Sequence, residues 1–164
     1  SSDLVKRNIT LVYGGASVGI MGTLADTVLQ EGGKVIGVIP TLLEGREISH
    51  KNLTELHVVE TMHQRKSKMI ELADGFVALP GGFGTLEEFS EVFTWSQIGL
   101  HQKPLGIFNI NDFYQPLLAM IDKMVDEKFL HEKYRHMAIV EQSPIQLLDK
   151  FESYIAPSIK TYDK

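Results

Sequence analysis

The chain contains no cysteine, which excludes disulfides, zinc–thiolate sites and thiol nucleophiles and makes a reducing cytoplasm the expected setting. Long hydrophobic runs are missing as well. The longest, Val35–Pro40 and Phe76–Pro80, are strand-sized and far too short to span a bilayer, so no membrane partner is expected. The opening Ser1-Ser2-Asp3-Leu4-Val5-Lys6-Arg7 has no apolar signal-peptide region. Positive charge is in deficit, with 16 Lys and Arg against 21 Asp and Glu and a net charge of −5. A nucleic-acid scaffold normally shows a strongly basic face, so none is expected here. An anionic small molecule would need a local basic patch working against the global field.

What is present is an ordinary globular composition, 43% hydrophobic and 23% charged, on a length that suits one domain over residues 1–164. Apolar runs of four to six residues alternate with amphipathic stretches, the pattern of an α/β protein with a parallel sheet. Strands are expected at Ile9–Tyr13, Val35–Ile39, Leu56–Val59, Phe76–Leu79, Leu105–Phe108 and Ala138–Val140. Helices are expected over Gly19–Glu31, His63–Ala73, Leu86–Leu100, Pro116–Lys128 and Pro144–Tyr154, and a polar loop over Thr41–Leu53. One architecture accommodates them: a Rossmann-like, doubly wound parallel sheet with helices on both faces. In such folds ligands bind beyond the carboxyl ends of the strands. The segment Leu4–Arg7 reads as the end of a helix, and no strand precedes it. Either the fold starts late or the chain lacks its natural N-terminus.

The strongest chemical signal is Leu79-Pro80-Gly81-Gly82-Phe83-Gly84-Thr85-Leu86-Glu87-Glu88, where a buried strand delivers a glycine-rich turn onto a helix N-terminus. Glycine lets the backbone approach an anion, which free N–H groups and the helix dipole then bind. Thr85 adds a hydroxyl and is expected as the N-cap. A tight strand–helix turn also uses glycine, but three around a phenylalanine are more than a turn requires. The run is not a Walker A loop, since no Gly-Lys-Ser/Thr follows, and Glu87 stands where a dinucleotide fingerprint has its third glycine. Glu87 and Glu88 would satisfy the dipole of a first helical turn. A carboxylate beside a phosphate is repelled by it, however, which suggests work farther along a substrate, on ribose hydroxyls or an attacking water. Consecutive helix positions diverge by about 100°, so one of the two faces the ligand.

A second signal, Met62-His63-Gln64-Arg65-Lys66-Ser67-Lys68, puts basic residues at a helix start, against the dipole. That placement suits a phosphate or sugar ligand; a solvated cationic face is the plain alternative. In Gly14-Gly15-Ala16-Ser17-Val18-Gly19, the residues Gly14, Gly15, Ser17 and Gly19 form a candidate phosphate or nucleotide loop. The same glycines equally suit a helix that packs close to its sheet. The six histidines form no ligand pattern, since His131 and His136 are five apart and fall on different helix faces. With no His-Glu-x-x-His and no Gly-x-Ser-x-Gly, neither a catalytic metal nor a serine nucleophile is expected.

The run Pro80–Glu88 together with Met62-His63-Gln64-Arg65-Lys66 closely resembles the LOG ("lonely guy") family. Its members are cytokinin riboside 5′-monophosphate phosphoribohydrolases, once labelled possible lysine decarboxylases. The family pattern Pro-Gly-Gly-x-Gly-Thr-x-x-Glu is matched at every fixed position, ending on Glu88, and the resemblance runs from about Leu4 to Tyr154. It implies a homodimer with sites near the subunit interface, and an aromatic-rich helix (Phe89, Phe93, Trp95, Ile98) is the surface expected to be shared. It implies Arg65 and Glu88 as the catalytic pair. It also implies substrate contacts from Glu47, Arg65, Lys66, the loop Gly82, Phe83, Gly84, Thr85, Leu86, Glu87 and Glu88, and Thr94. The chain departs from the family at Ala16, where a third glycine is usual, and in lacking the opening strand and its Gly-Ser-Ser loop, of which Ser1-Ser2 is a candidate remnant. Nothing in it resembles a pyridoxal-phosphate lysine site.

The activity so implied is hydrolysis of the N-glycosidic bond of a nucleoside 5′-monophosphate, releasing an adenine-type base and ribose 5-phosphate. Its transition state would resemble an oxocarbenium ion, and no metal or other cofactor is implied. Two alternatives stand beside it: a general AMP or GMP nucleosidase, and a non-catalytic nucleotide or cofactor carrier on the same fold. The presence of both Arg65 and Glu88 speaks against the carrier.

Overall fold

Short runs of Val, Ile, Leu and Phe become strands, buried most fully at Val35–Pro40 and Leu105–Phe108, and parallel pairing follows because each is separated from the next by a helix. The computed structural model describes residues 1–44 and 49–157. The chain divides into two compact units, Ser1–Ala73 and Asp74–Lys164. In the first, strands β1 (Leu11–Tyr13), β2 (Val35–Pro40) and β3 (Glu55–Val59) form a parallel sheet in the order β1-β2-β3, with Val12 opposite Ile36 and Val38 opposite His57. In the second, β4 (Phe76–Ala78), β5 (Leu105–Phe108) and β6 (Ala138–Glu141) pair in parallel in the order β4-β5-β6, with Val77 opposite Gly106 and Ile107 opposite Val140. The parallel α/β class expected from the alternation is the one observed.

The first unit carries helices α1 (Ser2–Lys6), α2 (Gly19–Gln30), α3 (Thr41–Glu44) and α4 (Met62–Leu72), the last lying against all three strands. Ala25 and Val28, one turn apart on α2, are completely buried with Val35, beside Tyr13 and under Leu4, Val5 and Leu53. Burying a side chain such as Val28 contributes about 1.5–3 kcal/mol. Gly32 stops α2, because its positive φ of 82° turns the chain back so that Gly32 N–H donates to Leu29 O and Gly33 N–H to Val28 O. Tyr13 closes β1 with its hydroxyl buried and without a hydrogen-bond partner among the described residues. Burial first, and the Asp26 carboxylate second, push that hydroxyl up to about 12, so it stays protonated.

The second unit carries α5 (Phe83–Gln97), α6 (Gln115–Asp126), α7 (Glu132–Arg135) and α8 (Pro144–Glu152). Its core includes Phe89, Val92, Leu105, Ile107, Tyr114 and Leu147. Gly106 lets α8 approach β5, since a Cβ there would lie 2.9 Å from Leu147 and Phe151. The expected Thr41–Leu53 loop begins instead with the single turn α3. The expectation that His131 and His136 lie on different faces of a helix is also corrected: they cap the two ends of α7. A four-residue helix is too short to show a period in sequence.

His101 follows α5 and closes it. Nε2 lies 2.9 Å from the Val92 carbonyl, and Nδ1 accepts the Lys103 amide, so the ring is neutral with its proton on Nε2. Burial, ahead of the neighbouring Lys103, holds its pKa below the usual histidine value. The unfolded chain therefore takes up a proton near pH 6.5 that the folded chain resists, and stability is lost as pH falls from about 6.5 towards the lowered folded value. The denaturant midpoint is expected to drop over that window, and His101→Gln to flatten part of the drop. An unchanged slope in the variant would contradict this assignment.

Candidate active site

A helix start leaves its first amides without intrahelical acceptors, and what surrounds them decides what they bind. Helix α5 begins at Phe83, with Gly82 as N-cap and no side chain capping it. This corrects two expectations: the helix starts three residues before Leu86, and Thr85 is not the N-cap but a member of the first turn. The physical reason is that Leu86 N–H already bonds back to Gly82 O at 3.2 Å, so Gly84 is inside the first turn despite its low helix propensity and Gly82 is its N-cap. The amides of Phe83, Gly84 and Thr85 are the donors left over by that geometry.

The three glycines have different reasons to be there. A Cβ at Gly81 would collide with the Thr85 hydroxyl, so Gly81 is required by packing. A Cβ at Gly82 or Gly84 would meet nothing within 4 Å, and Gly82 has an ordinary negative φ of −92°. Geometry of the turn does not account for these two. Open backbone beside helix amides is what an anion needs. Phe83 between them is 90% exposed.

Behind the loop stands a support that the sequence reading did not find. The Tyr114 hydroxyl donates to Leu79 O at the end of β4, and Asn109 Oδ1 accepts the Tyr114 amide at 2.7 Å. Both side chains are buried, and burial raises the Tyr114 pKa, which keeps it a donor. The pair fixes where the chain leaves β4 and enters the glycines.

Further along α5, Glu87 is exposed and Glu88 half-buried, consistent with the 100° step between them. Thr94 is exposed, and its hydroxyl is bound back to Ser90 O at 2.8 Å. Of the aromatic-rich face, Phe89 is buried, Phe93 and Trp95 are half-buried, and Ile98 is 48% exposed.

In the first unit the basic cluster lies on α4, whose N-terminus is closed by a capping box: Thr61 accepts the Gln64 amide at 3.1 Å while Gln64 Oε1 accepts the Thr61 amide at 3.2 Å. Gln64 is thus structural. Arg65 is half-buried and donates from Nε to Val38 O at 3.2 Å. Its guanidinium lies against Gly14, where a Cβ would be 3.2 Å from Cζ and would overlap Nη2. The structure therefore brings Arg65 together with the first glycine loop. Lys66 is half-buried beside it in sequence. In that loop Gly15 has a left-handed φ of 79° and packs on Ile39, Gly19 has φ 66°, and Gly22 admits the Ser17 carbonyl. Close packing at Gly14, Gly15 and Gly22 and left-handed backbone at Gly15 and Gly19 account for these glycines without a ligand. Glu47 lies outside the described residues.

Parallel strands alternating with helices define a Rossmann-like α/β protein. Comparison with known proteins refines this. Residues 21–151 match the family described as "Possible lysine decarboxylase". The chain is 46% identical over 163 residues to an Arabidopsis thaliana cytokinin riboside 5′-monophosphate phosphoribohydrolase, covering 99% of this chain and 76% of that protein. It is 48% identical over 162 residues to a rice "Probable cytokinin riboside 5′-monophosphate phosphoribohydrolase", covering 99% of this chain and 66% of the relative. A second rice relative is 49% identical, over 93% of this chain and 61% of its own length. The chain thus spans about two thirds of the length of these rice relatives. A solved molybdenum cofactor binding protein from Rippkaea orientalis shares the fold, with a TM-score of 0.68 at 19% identity over 92% of this chain and 80% of that one. The chain belongs to the LOG family, the same family that carries the lysine decarboxylase description.

The contrast among the glycines is testable. Gly84→Ala should raise stability by a few tenths to about 1 kcal/mol, because alanine is the better helix former and its methyl meets nothing. The same methyl should weaken binding of inorganic phosphate. A Gly84→Ala protein with a lower Tm would show that the glycine serves the turn instead.

Proposed function

We propose that the chain hydrolyses the N-glycosidic bond of nucleoside 5′-monophosphates, cytokinin ribotides among them. The observation that carries this reading is the start of α5, where uncapped amides adjoin two glycines that the fold itself does not require. Similarity over nearly the whole chain to phosphoribohydrolases supports the reaction class. In the reaction, water adds to C1′ as the bond to the base nitrogen breaks, the base leaves with a proton, and ribose 5-phosphate remains. The amides of residues 83–85 would take the 5′-phosphate. The Glu88 carboxylate would face the cationic sugar or orient the water, and Arg65 would fix the substrate or assist the leaving base. Glu47, Lys66 and Thr94 would complete the substrate contacts. We place this chemistry in a cytoplasmic homodimer; a single-copy mass by sedimentation in a fully active preparation would contradict the dimer.

A panel of nucleoside 5′-monophosphates assayed for ribose 5-phosphate tests the reading. AMP should be cleaved far faster than adenosine, because binding energy from the remote phosphate orients the ribose. Glu88→Gln keeps the size of the side chain and removes its charge, and kcat should fall by about a hundredfold or more in a folded protein. Equal rates on AMP and adenosine would sink the phosphate assignment. A Glu88→Gln enzyme with near-normal kcat would remove Glu88 from the chemistry, whereas a wild-type protein that binds AMP without releasing ribose 5-phosphate would favour the carrier alternative.

A further inference from the structure

His50 is one of the buried polar residues of the first unit, 7% exposed, and both of its ring nitrogens are occupied. Nδ1 accepts the Asn52 amide at 3.3 Å, so the ring proton sits on Nε2, which lies 2.8 Å from Asp26 Oδ1 on α2. A histidine held this way has no nitrogen left to exchange a proton with a substrate. Its main chain has a different attachment. The His50 N–H donates to Gly15 O at 3.1 Å, and the preceding Ser49 makes an antiparallel bridge with Ala16. Gly15 is itself confined, in the left-handed region and against Ile39, and the next residue back, Gly14, carries the Arg65 guanidinium on its open face.

These contacts form one continuous path: α2 at Asp26, the His50 ring, the His50 main chain, Gly15, Gly14, Arg65. We infer that His50 is a positioning residue, clamped by Asp26, that fixes the first glycine loop and thereby the place of the Arg65 guanidinium. The inference rests on the reading of Arg65 as part of the nucleotide site. It gives the buried imidazole a task that burial alone does not explain. A ring with two polar atoms is a costly way to fill a core, whereas a ring bonded at both nitrogens fixes its own orientation and that of the chain on either side. Ser49 and His50 also follow closely after Glu47 in sequence, so the clamp sits at the exit of a segment that carries another candidate contact.

The test uses the full chain with His50→Ala and His50→Gln, the latter placing an amide nitrogen near the position of Nε2. With AMP as substrate, His50→Ala should lower kcat by about tenfold to a hundredfold, with KM changed much less, because a misplaced catalytic group is felt in the transition state. Hydrogen exchange of peptides covering residues 13–17 should quicken in the same variant. His50→Gln should recover most of both properties. A folded His50→Ala protein with wild-type kcat, KM and loop exchange, whatever its Tm, would overturn the inference, as would a glutamine variant no better than the alanine one. If the wild-type protein cleaves no 5′-monophosphate at all, the hydrolase reading fails by itself. Loop exchange then still decides the clamp: quickened exchange upholds it and unchanged exchange refutes it.

Discussion

The amides that open α5 have no intrahelical carbonyl to bond, and among the described residues the N-cap, Gly82, supplies no side-chain cap for them. A buried or ligand-facing N–H without a partner costs free energy comparable to a lost hydrogen bond. Most helix starts meet that cost with Ser, Thr, Asp or Asn at the N-cap, and in this chain Thr61 and Ser143 do so for α4 and α8. At α5 the N-cap is Gly82, which offers nothing but space. The local sequence gives up stability at this helix end, as it also does at the uncapped starts of α1, α2 and α6, and leaves donors oriented along a positive dipole. An anionic ligand restores what the cap omits. The support from Tyr114 and Asn109 fits the same view, since an uncapped turn needs its position fixed from behind.

The first unit solves a complementary problem, that of holding a cation still. A guanidinium is planar and carries its donors in a fixed fork, so its usefulness depends on orientation. Arg65 is oriented by its Nε bond to Val38 O and by lying on the bare backbone of Gly14. Any side chain at position 14 would lift it off. The glycines of this loop are therefore accounted for by packing and by left-handed backbone at Gly15 and Gly19, whereas Gly82 and Gly84 of the second loop are not. Two loops that look alike as strand–glycine–helix motifs thus owe their glycines to different causes.

Much of this architecture is legible in the sequence because burial on both faces writes itself as short apolar runs. Strands at Val35–Pro40, Leu105–Phe108 and Ala138–Glu141 fall within a residue of where the runs place them. The start of α5 is not, because glycine's low helix propensity hides that residues 83–85 already occupy a first turn. Thr61-x-x-Gln64 is a legible capping box, but the basic residues that overlap it draw the reading towards a ligand. The supports are the least legible. Tyr114 reaches a carbonyl 35 positions away, and His50 meets Asp26 across 24. No local period or spacing records such pairs, and each residue alone reads as an ordinary aromatic or a stray histidine. The glycine runs and the basic cluster are legible as motifs, and Glu47 and Thr94 enter only through the family resemblance; the contacts that hold Arg65 and the glycine loops are not legible.

The proposed reaction depends first on phosphate binding by the amides at the start of α5. It is tested most directly by recording backbone amide resonances of the isotope-labelled protein while ribose 5-phosphate is added. The largest saturable shifts are expected on Phe83, Gly84 and Thr85, with smaller ones at Gly82. Saturable shifts confined to another part of the chain, with these amides unmoved, would contradict it.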